Sequence, residues 1–445
     1  MLLRALLLFQ ILYTVYQGHY SFETGIPGVN LPNVLFAVTL VAILARSEKD
    51  ALHGEPALLK PAIVVFFVAL LQAFVLAQLV APGNFMLDVN YLRNALLSPL
   101  LYFMYLRCRQ DLPTTRLLII AVLAVAALAG LQAVRQGLDY GIGTFNETHR
   151  ASGPFGADYR DANRAGIYYA IFLPMFIGLA LFMRKQRLWR LASIVGIALV
   201  AMAILVTYSR QSYFIAIAGA VLLLLRRNVV FAVVLGAALV SMSSLLPDSV
   251  TQRVAETKQR DTHGAEVLDE STTSRWEIWS GAIAMWSEHP LGVGLNRFKT
   301  QIGNYSSHKG YDAHNFYVLT LAEMGVQGLA ALLFVFYALF RLSGFLRRNV
   351  PPDDPEARAL AVAFTVTTIS AALGNLYGSP FLENNVFGTY WVLCGLLERY
   401  MRLKMGSRPA AEDTAEVSAQ ERMLERFPLL ERSLPGLRRP SGGGS

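Results

Sequence analysis

The chain is poor in charge and nearly without cysteine. Only 16% of its 445 residues are Asp, Glu, Lys or Arg, where soluble domains carry about 25%. With a mean hydropathy of +0.42, that shortfall excludes a soluble reading as two or three globular domains. Cys108 and Cys394 offer neither a disulfide framework nor zinc-type spacing, and both read as unpaired structural residues. The alternation that marks a membrane β-barrel is missing as well. No Walker or Rossmann context surrounds the lone Gly292-Val293-Gly294, which reads as a flexible turn. No small-residue cleavage site follows the apolar stretch 2–17, so that stretch is expected to be a retained first helix.

What the sequence has instead is apolar runs of roughly 16 to 22 residues, the length that carries a helix across about 30 Å of hydrocarbon. Lipid offers the backbone no hydrogen bonds, so such runs must be helical. They fall near 2–17, 30–46, 61–81, 93–106, 117–134, 165–183, 191–208, 212–225, 228–246, 315–340, 359–376 and 386–399. The expected fold is therefore an all-α polytopic membrane protein with about 12 transmembrane helices. The division is a transmembrane domain over 1–400, a charged cytoplasmic tail over 401–440 and an appended Ser-Gly-Gly-Gly-Ser linker at 441–445.

Basic residues collect around 46–60, 107–116, 184–190, 226–227 and 341–358. Their bulk favours cytoplasmic N- and C-termini. The net charge of +8 is spread between spans, which points to anionic lipid head groups or phosphates and away from nucleic acid.

Two long segments, 135–164 and 247–314, are then expected outside. Within the second, Trp276, Trp279, Ile283 and Trp286 are spaced three, four and three apart, on one face of a helix over 274–289. That face fits the membrane head-group level, and it fits packing against the spans equally well. Outside loops should be poor in cations, yet these hold Arg135, Arg150, Arg160, Arg164, Arg210, Arg253, Lys258, Arg260, Arg275, Arg297 and Lys299. Guanidinium forks bind phosphate oxygens bidentately; partial pairing with Asp158, Asp161, Asp269, Glu270 and Glu277 would also account for some of them. Arg210, in the polar hinge Thr207-Tyr208-Ser209-Arg210, sits at a membrane edge where a gate, a salt bridge or a phosphate ligand would each fit.

His314 ends the long loop, and Asn315 behind it is a good helix cap. A neutral histidine at that boundary, with a pKa near 6.5 if unshifted, could take a proton from a sugar hydroxyl; a solvated loop histidine is the plain alternative. His149, His263, His289 and His308 are also external, but none has HxH or HxxxH spacing, so no metal is expected. Glu323, Gly325 and Gly328 follow inside the span and read as scaffold.

Three stretches together resemble the O-antigen ligase family: Ser209-Arg210 at a span junction, Ser274-Arg275-Trp276-Glu277-Ile278-Trp279 leading into His289-Pro290-Leu291-Gly292-Val293-Gly294-Leu295, and His314-Asn315 followed by Leu319, Glu323, Gly325 and Gly328. Asp161-Ala162-Asn163-Arg164 opening a span is similar to a further feature of the family. The resemblance covers roughly 150–400 and implies a GT-C-like inner-membrane glycosyltransferase with a large periplasmic loop that carries an amphipathic helix. It implies inverting, metal-independent transfer of a polysaccharide from undecaprenyl pyrophosphate to a sugar hydroxyl of lipid A–core, with no cofactor. By motif, His314 becomes the general base and Arg210 and Arg275 the diphosphate ligands. Arg164, Arg160, Arg297 and Asn315 are secondary candidates, and Asp312, Glu323 and Glu383 are unranked candidates to orient His314. O-antigen polymerases and O-oligosaccharyltransferases share the motif region, though the latter usually carry a soluble C-terminal domain not seen here. A lipid-linked glycan transporter should show an internal repeat and mid-membrane charges, whereas these arginines cluster at one face.

Overall fold

The computed structural model describes residues 1–18, 30–47, 50–141, 146, 148–156, 158, 161–225, 258–260, 266–268 and 270–406. The expected span 228–246, Arg160, Arg253, His263 and the tail beyond 406 lie outside them. The chain runs through α1 (Leu2–Tyr16), α2 (Leu31–Leu44), α3 (Lys60–Val80), α4 (Phe85–Leu106), α5 (Leu112–Tyr140), α6 (Asp161–Phe182), α7 (Arg187–Val206) and α8 (Arg210–Leu225). After an antiparallel ribbon of β1 (Lys258–Arg260) and β2 (Glu266–Leu268), in which Gln259 faces Val267, come α9 (Glu270–Glu288) and the short α10 (Phe298–Gln301). Last are α11 (Phe316–Arg348), α12 (Pro355–Gly374) and α13 (Asn384–Gly406).

Among the described residues, six helices are long and apolar enough to cross a membrane: α3, α5, α6, α7, α11 and α12. Helices α1, α2 and α8 are shorter apolar helices. The protein is thus a helical polytopic membrane protein. Every sequence-derived run except 228–246 coincides with one of the described helices. Several helices start on the signals expected of them. Asn30, Asp111 and Asp354 each accept a hydrogen bond from the third residue onward, and Pro32, Pro113 and Pro355 occupy first-turn positions where a missing N–H costs nothing.

Helices α6 and α12 form the centre, with 78% and 72% of their apolar windows buried inside the protein, against 33% for α3 and α7. The exposed flanks of α3 and α7 are apolar, with Val64, Val68, Leu71, Ile194 and Val195 outward, as a lipid-facing surface requires.

The short runs 2–17, 30–46 and 212–225 are helices, namely α1, α2 and α8. Contacts then tie the basic clusters together at one end of the bundle. Arg46 Nη1 donates to Arg109 O at 3.2 Å, Arg116 Nε lies 2.6 Å from Glu356 Oε1, and Arg116 stands 5.1 Å over the Trp189 ring. Buried Arg399 reaches Asp50 at 2.9 Å and the Leu106 carbonyl at 2.8 Å. Arg226 and Arg227 lie outside the described residues. Both cysteines are buried and free.

Candidate active site

The site is built on a strap that follows α9. Beyond His289-Pro290, Val293 N donates to Ala322 O at 2.9 Å, Gly294 N to Glu323 O at 3.0 Å and Leu295 N to Ala73 O at 2.9 Å. These bonds are available because α11 is broken at Gly325, which has φ +70° and ψ −171°. A side chain there would be strained, and its Cβ would come 2.5 Å from the Pro290 carbonyl. Gly294 lies against α3, where a Cβ would stand 2.5 Å from Ala77 Cα. Residues 292–294 are therefore a clamped strap rather than the flexible turn expected from sequence. Glu323 is buried and its Oε1 accepts from Phe298 N at 3.0 Å, a scaffold role as expected.

Arg297 completes the anchoring. Its Nη1 and Nη2 reach the two oxygens of buried Asp88 on α4 at 2.8 and 2.5 Å, and Nε donates to Ala81 O. The secondary candidate Arg297 is thus spent on a buried ion pair and does not line the cavity described below. The pair spans 209 positions in sequence, so nothing local could have announced it.

The loop after α10 ends at His314, whose backbone is in the left-handed region at φ 48°, a conformation uncommon outside glycine. Its neighbours hold it there. Trp279 Nε1 on α9 donates to Ala313 O at 2.8 Å, Phe316 N donates to Asn375 O at 2.8 Å, and His314 N donates to Asp312 Oδ1 at 3.2 Å. Asn315 caps α11 as expected, its Oδ1 accepting from Tyr317 N at 3.0 Å and Val318 N at 3.2 Å. Its side chain therefore serves the helix.

Helix α9 supplies the helix expected over 274–289, but the face it buries is not the expected tryptophan face. It buries Ile278, Ala282 and Met285, whereas Trp276 and Ile283 are exposed. Of the tryptophan face, Trp279 anchors the His314 loop and Trp276 is exposed.

His314 lines a polar cavity of about 820 Å³. Arg275 from α9, Lys299 from α10 and Arg164 from the first turn of α6 line the same cavity, with Asp312 and Glu383 among them. Arg164 is held by Asp161 at 3.2 Å and Glu383 at 3.0 Å, and Lys299 by Asp312 at 3.1 Å. Arg150, also in the lining, is largely buried and donates to Thr207 O at 2.9 Å and Asn163 Oδ1 at 2.6 Å. It bolts the 150s loop to the ends of α6 and α7.

These charges set the protonation of the site. Burial lowers the pKa of His314; Asp312 pulls it back up, and Arg275, Lys299 and Arg164 push it down again. The net direction is downward, so the ring is neutral at neutral pH. Burial also works against the Asp312 anion, but Lys299 and His314 outweigh it and hold Asp312 below its ordinary value. Enclosure pushes the Glu383 carboxyl up to about 7 despite the pull of Arg164. Of the three carboxylates considered for His314, Asp312 is the one bonded to it, through the His314 backbone N–H, and the one whose charge raises its pKa. Glu323 faces Phe298 and Glu383 faces Arg164.

The structure thus joins His314, Arg275 and Arg164 around one cavity. Half-buried Arg210 is the first residue of α8, entered through Tyr208 at φ 50°; its neighbour Gln211 lines the cavity and Arg210 does not. Arg160 lies outside the described residues. His289 follows the last turn of α9 and stays out of the lining. Lys299, Arg150 and Glu383 were visible in the sequence only as charges, without a motif to single them out. Among the described residues, no group of three or more His, Cys, Asp or Glu stands together as a metal site.

Comparison with known proteins agrees with this part of the chain. The family model described as O-Antigen ligase matches residues 195–333. The match covers about a third of the chain and includes Arg210, Arg275, Lys299 and His314, and leaves Arg164 and Glu383 outside. No curated protein matches the chain.

Proposed function

With an O-antigen ligase family match over 195–333 as premise, we propose that the protein transfers a lipid-linked polysaccharide to lipid A–core at the periplasmic face of the bacterial inner membrane. The donor is the glycan on undecaprenyl pyrophosphate. The observation that carries this reading is a histidine biased to the neutral form in the same cavity as Arg275, Arg164 and Lys299.

The acceptor hydroxyl oxygen attacks the anomeric carbon as His314 takes its proton. The bond from that carbon to the diphosphate oxygen breaks, and the electron pair leaves on the diphosphate, inverting the anomeric centre. The cations hold the departing charge. Arg275 contributes a planar fork and Lys299 a point charge, while Arg210 at the head of α8, outside the cavity lining, is assigned to the diphosphate by its motif alone. A diphosphate is already a good leaving group, so one base and fixed cations are sufficient machinery. Asp312, on the His314 backbone and near its ring, stabilises the imidazolium that forms. No step requires a metal or cofactor.

Purified protein incubated with lipid-linked glycan and either lipid A–core or a second lipid-linked glycan tests the assignment. Transfer to lipid A–core that is unaffected by EDTA is the expected result. Transfer only to the second glycan would make the protein a polymerase, and a requirement for a divalent ion would overturn the mechanism.

A further inference from the structure

A second cavity lies at the opposite end of the helices that carry the polar one. It measures about 250 Å³ and is walled by Ile119 and Leu123 of α5, Phe176 and Leu179 of α6, Trp189 of α7 and Leu360 of α12. That is below the roughly 300–1,000 Å³ of pockets that enclose a drug-sized ligand, so it has room for part of a chain. Ala124 and Ala192 line it and are exposed, so it opens on the flank of the bundle. Leu128, Leu188 and Leu191 are exposed on that flank as well, which makes the surrounding medium lipid rather than water.

The mouth is basic. Arg116 lines the slot at its polar end, 5.1 Å over the Trp189 ring, with Nε 2.6 Å from Glu356 Oε1. That pairing neutralises the one acid in the lining, and a guanidinium carries donors beyond the one it uses. Lining residues Met183 and Trp189 bracket a connection that holds exposed Arg184, Lys185 and Arg187, and exposed Arg190 follows. Four cations therefore stand within a few residues of an apolar slot that opens sideways into lipid.

We propose that this slot binds one acyl chain of an anionic phospholipid from the leaflet at the basic end, with the lipid phosphate held by the 184–190 cluster. Charge complementarity selects an anionic head group over a zwitterionic one, because each cation near a membrane surface favours anionic lipid. The proposal rests on the bundle spanning a membrane and is independent of the glycan chemistry at the other end.

The test uses the full chain purified in neutral detergent. Its thermal midpoint is followed while phosphatidylglycerol, phosphatidylcholine with the same acyl chains, or undecaprenyl phosphate is added. Phosphatidylglycerol is expected to raise the midpoint at about tenfold lower concentration than phosphatidylcholine. The double variant Lys185→Glu/Arg187→Glu, at exposed positions, should erase that preference, and Ala124→Trp should blunt the response to both phospholipids. If Ala124→Trp fails to fold, native mass spectrometry of the charge variant and the parent supplies the reading as retained phosphatidylglycerol per chain. Equal responses to the two phospholipids, a preference unchanged in the charge variant, or tighter binding of undecaprenyl phosphate would each overturn the assignment.

Discussion

At the scale of the residue, the cations divide by what already occupies them. Arg275 lines the polar cavity and acts on His314, whereas Arg297 is committed to buried Asp88. Arg275→Ala is expected to cut transfer by about 10²–10³-fold, the loss typical of removing one donor from developing negative charge. Arg275→Lys should recover part of it, because lysine keeps the charge and loses the fork. Arg297→Ala should behave differently. Breaking a buried ion pair costs about 3–5 kcal/mol, so protein level and thermal midpoint should fall, with turnover per folded molecule less affected. Equal turnover losses in the two alanine variants, at matched folded protein, would remove the distinction. The pH dependence follows from His314. A base must be neutral to work, and its pKa is lowered from 6.5. Activity should therefore persist as pH falls through 6.5 and fail only below it. A half-maximal point at or above 6.5 on the acid limb would contradict the burial argument.

At the scale of the element, what was legible in the sequence is what is local. Asn315 as a cap, a helix over 274–289, and the apolar runs all follow from spacing within one turn or one span, and the described residues contain them apart from the run at 228–246, which lies outside. The arrangement that makes them a site was not legible. The strap over 293–295 depends on carbonyls of Ala322 and Glu323 turned out by the break at Gly325, and on Ala73 of α3. Arg164 finds Glu383, 219 positions away (383 − 164). Periodicity carries no information about such partners, so Glu383 could be named only as one unranked carboxylate among three. Loss of the cap isolates the contribution of one element. Asn315→Ala should lower stability by about 0.5–2 kcal/mol and shift the thermal midpoint downward, since Tyr317 N and Val318 N both lose their acceptor. An unchanged midpoint would mean that the α11 start is held by Phe316 N on Asn375 O alone.

At the scale of the whole molecule, the polar cavity and the basic clusters sit at opposite ends of the same helices. Arg164 opens α6 and Met183 follows its end; Glu356 opens α12 and Tyr377 follows its end. The proposed orientation therefore makes a joint prediction about two positions. In a background lacking Cys108 and Cys394, Lys309→Cys on the cavity side should react with an impermeant thiol reagent from the periplasm. Arg187→Cys should react only after the inner membrane is opened. The reverse pattern would turn the protein over and remove a periplasmic site. The proposal as a whole depends most on His314, placed at the cavity by Trp279, Asn375 and the α11 cap. The most direct test compares His314→Ala and His289→Ala side by side, at matched membrane expression, with lipid-linked glycan and lipid A–core. Transfer is expected to be abolished in His314→Ala with donor binding retained through the cations, and to remain near normal in His289→Ala. Near-normal transfer in His314→Ala would contradict the account.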